Sequence, residues 1–215
     1  MTTSKVRWIG ALGCLCLWLG VSGITWSAEK DNTHPAVPVP YRLLKEPFTH
    51  VPGKVKLEVF VDFYCPHCHH FETTVLPELM REFGTRLEVT QIGFPIIQNK
   101  PRTPFELYEA ARAEGKGAAM AKVLFRALQD EGLDIRDPTV EGKILKEVGL
   151  DPTAIKRRLS SGQPKRALDE GIARADRHGV RFTPTVLLDG HVLAEVTTAE
   201  NLKPLIRKLL AGETF

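Results

Sequence analysis

Cys65 and Cys68 stand two residues apart and enclose Pro66 and His67. Two thiols at that spacing serve thiol–disulfide exchange or metal ligation. For exchange, the useful arrangement places the first cysteine at the start of a helix. Unpaired N–H groups and the positive end of the peptide dipoles then favour its thiolate. The second cysteine follows one helical turn later, close enough to close a disulfide and more deeply placed. His67 lies between them, where it can add a hydrogen-bond donor or a positive charge near the Cys65 sulfur. A stabilised thiolate is a good leaving group and makes the dithiol more stable relative to the disulfide. Such a pair accepts electrons and is an oxidant.

The metal alternative rests on His67, Cys68, His69 and His70, which are contiguous. Copper or zinc suits these ligands. Consecutive helical positions are spread by about 100° around the axis, so the four cannot all converge on one ion. His69 and His70 therefore read as a surface turn. A second feature, Thr183-Pro184, precedes an apolar run, where an ordinary trans proline in a ladder would be awkward.

The elements that must position these residues follow from periodicity. Val55, Leu57, Val59, Val61 and Phe63 alternate with Lys54, Lys56, Glu58 and Asp62. This predicts a half-buried strand over 54–64 that runs directly into Cys65. A helix should follow to about Phe83, with Pro66 in its first turn, Gly84 past its end and a kink or break at Pro77. Residues 86–92 read as a second strand. Residues 103–178 are helical in pattern, with Thr103-Pro104, Asp137-Pro138 and Asp151-Pro152 as cap-and-proline starts and His178-Gly179 as the closing signal. Met120, Val123, Leu124, Ala127 and Leu128 form one apolar stripe, and Val140, Ile144, Leu145 and Val148 another. Strands return at 185–188 and 191–196, joined by Asp189-Gly190 as a two-residue hairpin, before a last helix over 199–210. The sum is an α/β sheet interrupted by an all-helical insertion at about 103–178.

The start of the chain reads as an address. Lys5 and Arg7 precede nineteen uncharged residues, Trp8 to Trp26, and small residues follow at Ser27 and Ala28. This is a signal peptide over 1–28, with an uncleaved anchor as the alternative. Ala11-Leu12-Gly13-Cys14 only faintly matches a lipoprotein box. Removal of 1–28 takes away Cys14 and Cys16 and lowers the formal charge from +3 to +1. Cys65 and Cys68 are then the sole cysteines, in a loop too short to act as a framework clip. Residues 29–53 carry five prolines and no periodicity and read as an extended leader. The domain proper is expected over 54–215. With 43% apolar and 26% charged residues over a length of 215, the chain can bury a core without disulfide staples, and its small net charge argues against a nucleic-acid partner.

Leu57–Phe71 (LEVFVDFYCPHCHHF) resembles the active-site region of thioredoxin-fold oxidoreductases, and Cys65-Pro66-His67-Cys68 is the motif of the DsbA family of periplasmic disulfide oxidases. The resemblance spans about 50–212 and implies a thioredoxin-like fold with a helical insertion. It implies that Cys65 is an exposed nucleophile, Cys68 its resolving partner and Pro184 a cis proline facing the pair. It implies that the backbone beside Thr183 pairs with extended, reduced exported substrates. It further implies reoxidation by a membrane quinone-linked partner of the DsbB or vitamin-K-epoxide-reductase type, and no organic cofactor. The chain departs from relatives in having Val59 where many carry a buried acid, and Thr183 where enteric enzymes carry Val. Glu58 is expected on the opposite strand face, and Asp62 as a solvated or capping residue. An isomerase or reductase of the DsbC type is the rival redox reading, and the short Pro-rich leader argues against it.

Overall fold

The structure is a computed structural model describing residues 40–213 and Phe215. The signal, anchor, lipid-box and early leader readings lie outside the described residues. Val55, Leu57, Val59 and Val61 all point into the main core and form β2 (Val55–Val61). β2 pairs in parallel with β3 (Leu87–Gly93) and antiparallel with β4 (Thr185–Leu188). The five strands run in the order β1-β5-β4-β2-β3.

The expected half-buried strand is in fact covered on both faces. Phe60 joins a second cluster with Ile92, Phe94, Val180, Leu187 and Leu193. Glu58 interrupts that face, and its carboxylate is held by the Arg174 guanidinium at 2.5–2.6 Å. The strand also ends at Val61 instead of 64. The Asp62 carboxylate takes the Tyr64 N–H and the Asp62 carbonyl takes the Cys65 N–H, which turns the chain toward the helix.

Pro77 does not end the first helix. α1 (Pro66–His70) passes through a π-helical turn, Phe71–Val75, into α2 (Leu76–Phe83). The wider turn accommodates the proline ring and its missing donor. The insertion comprises α3 (Thr103–Arg112), α4 (Gly117–Phe125) with a second π turn at Arg126–Asp130, α5 (Pro138–Glu147), α6 (Pro152–Ser160) and α7 (Gln163–Arg177). Asp137 and Asp151 cap their helices through the Thr139 and the Thr153 and Ala154 N–H groups. Thr103 does not: it is already the first helical residue and no side chain caps that end. Gly179 closes α7 in the left-handed region at φ 67°.

Two boundaries move. Leader residues contribute β1 (Tyr41–Leu43), which pairs antiparallel with β5 (Val192–Ala194) and covers that edge. A three-residue strand beside prolines carries too little pattern to be seen in sequence. The hairpin loop holds three residues, Asp189 to His191, because Leu188 pairs with Val192. Asp189 and Gly190 both have positive φ, as the dipeptide requires, but the Asp189 carboxylate is fully buried and receives the Lys56 N–H and His50 Nδ1 at 2.8 Å each. The turn is thereby tied to β2 and to the leader. α8 (Ala199–Leu210) closes the chain as predicted, capped by the Thr198 hydroxyl. Among the described residues no helix is long and apolar enough to cross a membrane.

Candidate active site

Cys65 is the N-cap of α1, in extended conformation, and its carbonyl accepts the Cys68 and His69 N–H groups at 3.0 and 3.1 Å. Pro66 fills the first helical position, where a missing N–H costs nothing. Both cysteines are free thiols. Cys65 is 7% exposed and Cys68 is sealed at 0%. The expected exposed nucleophile is therefore only the more accessible of two covered sulfurs. Phe63 below it packs against Phe105, Tyr108 and Phe125 from the insertion, with ring centroids 5.1–5.5 Å apart.

The strand β4 brings the second feature to the first. Thr183-Pro184 is a cis peptide bond, and the Cys65 Sγ–H donates to the Thr183 carbonyl at 3.4 Å. The Thr183 hydroxyl is buried and has no partner in the dithiol. Beside it opens a groove of about 650 Å³ lined by His67, Phe71, Phe182, Pro184 and Val196, with Phe182 64% exposed.

These surroundings separate the two thiols. Cys65 is drawn down from 9.0 to about 5, first by the Cys68 thiol donating to it, then by the Thr183 hydroxyl and by the Cys68 and His67 backbone N–H groups, against the opposing effect of burial. Cys68 is pushed well above the usual thiol range, chiefly by burial. The helix start thus acts through particular donors. What residue 67 supplies in this arrangement is its backbone N–H, while its ring is exposed in the groove.

Other residues differ from their sequence readings. Asp62 is buried, not solvated: its carboxylate caps the turn at Tyr64 and also takes the Ile96 and Ile97 N–H groups at 2.9 Å. His69 is half-buried, stacked on Phe125, with Nε2 3.5 Å from Asp130, and His70 is exposed. Among the described residues no group of three or more Cys, His, Asp or Glu side chains is arranged to hold a metal ion.

Sequence reasoning missed two polar residues. Glu72, in the first π turn, is 5% exposed, takes the Gln91 side-chain amide at 3.0 Å and is raised by burial to about 7. Position 59 is a buried valine, and the buried acid on this side of the site is Glu72. Gln129, in the second π turn, donates to the Phe63 and Cys65 carbonyls at 3.0 Å each.

Residues 56–207 match the family model of the DSBA-like thioredoxin domain. The thiol:disulfide interchange protein DsbA of Burkholderia cepacia is 21% identical over 182 residues, which span 83% of this chain and 84% of that protein. Among solved structures, DsbA from Xylella fastidiosa matches with a TM-score of 0.63 at 19% identity over 80% of this chain and 94% of its own. DsbA from Pseudomonas aeruginosa matches with a TM-score of 0.61 at 19% identity over 80% and 93%. Matched over more than half its length, with both cysteines and the cis proline inside the matched span, the chain belongs to the DSBA-like thioredoxin-domain family of thiol:disulfide oxidoreductases.

Proposed function

We propose that this protein is an oxidase that introduces disulfides into reduced exported proteins in the periplasm through the Cys65–Cys68 pair. The observation that carries this reading is the separation of the two thiols. A substrate thiolate attacks Cys65 of the disulfide, and Cys68 leaves and is protonated. A second substrate thiolate attacks the substrate sulfur of the mixed disulfide, and Cys65 leaves as a thiolate. Two substrate thiols become one disulfide, and their two electrons reduce the pair. One proton stays on Cys68 and the other goes to solvent. A membrane quinone-linked enzyme of the DsbB or vitamin-K-epoxide-reductase type then takes the electrons.

The energetics favour this direction. A thiol lowered from 9.0 to about 5 stabilises the folded dithiol by about 3 kcal/mol at pH 7. That corresponds to about 60 mV toward a more oxidising couple. The raised Cys68 does not offset it, because that thiol is neutral in both folded and unfolded chains below pH 9. The groove beside Pro184, with apolar Phe182 and Val196, offers an unfolded segment a surface next to the reactive sulfur.

The test is oxidation of a reduced, unfolded protein by residues 29–215, with the potential measured against glutathione and a scrambled substrate run in parallel. Oxidation with a potential well above that of the glutathione pool supports the reading, and Cys65→Ser must abolish it. Efficient unscrambling with poor net oxidation assigns an isomerase instead.

A further inference from the structure

The segment joining β2 to α1 is held from two sides, and only one belongs to the thioredoxin core. On the core side the Asp62 carboxylate takes the Tyr64 N–H. On the other side the π turn at Arg126–Asp130 delivers a side-chain amide from the insertion. Gln129 Nε2 donates to the Phe63 and Cys65 carbonyls, at 3.0 Å each. Both partners are carbonyls, which only accept, so the nitrogen and not the oxygen must face them. Both amide hydrogens are used, on oxygens two residues apart along the chain.

The neighbouring contacts reinforce this grip. His69 stacks on Phe125 at 6.1 Å and approaches Asp130, and Phe63 packs on three aromatic rings of the insertion. Among the described residues, no other donor to the Phe63 carbonyl is found. The Cys65 carbonyl already holds two backbone N–H groups, so a third donor is not needed to satisfy it. Its effect is to pin the peptide and to draw negative partial charge away from the oxygen of the nucleophile's own residue.

We propose that Gln129 is a positioning residue for thiol exchange: by fastening the carbonyls on either side of Tyr64, it lets the helical insertion set the aim and the electrostatic surroundings of the Cys65 sulfur. This rests on the thiol-exchange reading above. Movement of the insertion relative to the core would then change reactivity at Cys65 without any insertion side chain touching the sulfur.

Two variants and one wild-type measurement test it. Gln129→Glu keeps the size, removes both donors and places a negative charge against two carbonyl oxygens. Gln129→Met removes the donors without adding charge. The thiolate absorbance of Cys65 should titrate about one unit higher in Gln129→Glu, and its equilibrium constant with glutathione should fall about tenfold. Gln129→Met should raise the Cys65 titration by about half a unit and lower the equilibrium constant about threefold. In wild-type dithiol protein, the side-chain amide resonances of Gln129 should move with the ionisation of Cys65. Variants that titrate and equilibrate like active wild type, or a Gln129 signal flat across that ionisation, overturn the proposal. A wild-type protein that does not exchange with glutathione overturns the underlying reading first.

Discussion

Thr183→Val isolates one hydroxyl at the active site. In the dithiol this hydroxyl is buried without a partner, yet it is second among the groups drawing Cys65 down. The two facts agree if the hydroxyl waits for the thiolate. A hydrogen bond to a charged acceptor contributes about 1.5–3 kcal/mol, and sulfur belongs at the lower end. Losing about 1.5 kcal/mol moves Cys65 up by about one unit, from about 5 to about 6, and lowers the potential by about 30 mV. The Thr183 carbonyl, which accepts from the Cys65 thiol, is retained in the variant. Stability should respond with opposite sign at the two ends of the pH range. Below pH 4 Cys65 is a thiol, and removing an unpaired buried hydroxyl should stabilise the dithiol by about 1–2 kcal/mol. A depressed thiol contributes stability that is present above its unfolded value near 9 and lost as pH falls through its folded value. The variant depresses Cys65 less, so its advantage should vanish by pH 9. Absorbance of the thiolate against pH, the glutathione equilibrium and denaturant unfolding at pH 4 and 9 measure the three effects. A Cys65 that titrates within about 0.3 units of wild type, or a stability gain equal at both pH values, would refute the assignment.

Removing the imidazole at position 67 by His67→Ala leaves the backbone N–H that lowers Cys65 in place. The ring is exposed, so the loss should raise Cys65 by no more than about one unit and make the protein correspondingly less oxidising. An unchanged or more oxidising potential would assign the whole effect of residue 67 to its backbone. Glu72, raised from 4.5 to about 7, contributes stability that is present below 4.5 and lost as pH rises through about 7. Glu72→Gln keeps an acceptor for Gln91, so it should stabilise the protein by about 3 kcal/mol at pH 8 and by almost nothing at pH 4. Urea unfolding at the two pH values measures this, and an equal effect at both would remove burial as the cause.

The Cys-Pro-His-Cys turn, β2, the cap-and-proline helix starts at Asp137 and Asp151, and α8 were legible because each is written in adjacent residues. An N-cap aspartate meets an N–H two or three residues away, and a strand shows its period within its own length. What escaped was written across distance. β1 exists because β5 has an open edge about 150 residues later, not because Tyr41–Leu43 has any pattern of its own. Glu72 reads as one more surface acid until β3 places Gln91 against it, and Gln129 reads as one more polar helical residue until a π turn rotates it onto the Cys65 carbonyl. Asp62 caps the turn as one reading had it, but its burial escaped for the same reason, since two of its three N–H partners lie past β3. The π turns themselves mark where local and global demands conflict. One absorbs Pro77 in the helix that carries both cysteines, and the other carries the contact from the insertion to the nucleophile. The thiol pair was therefore evident from the sequence, but the groups that hold it in place become visible only once distant segments are brought together.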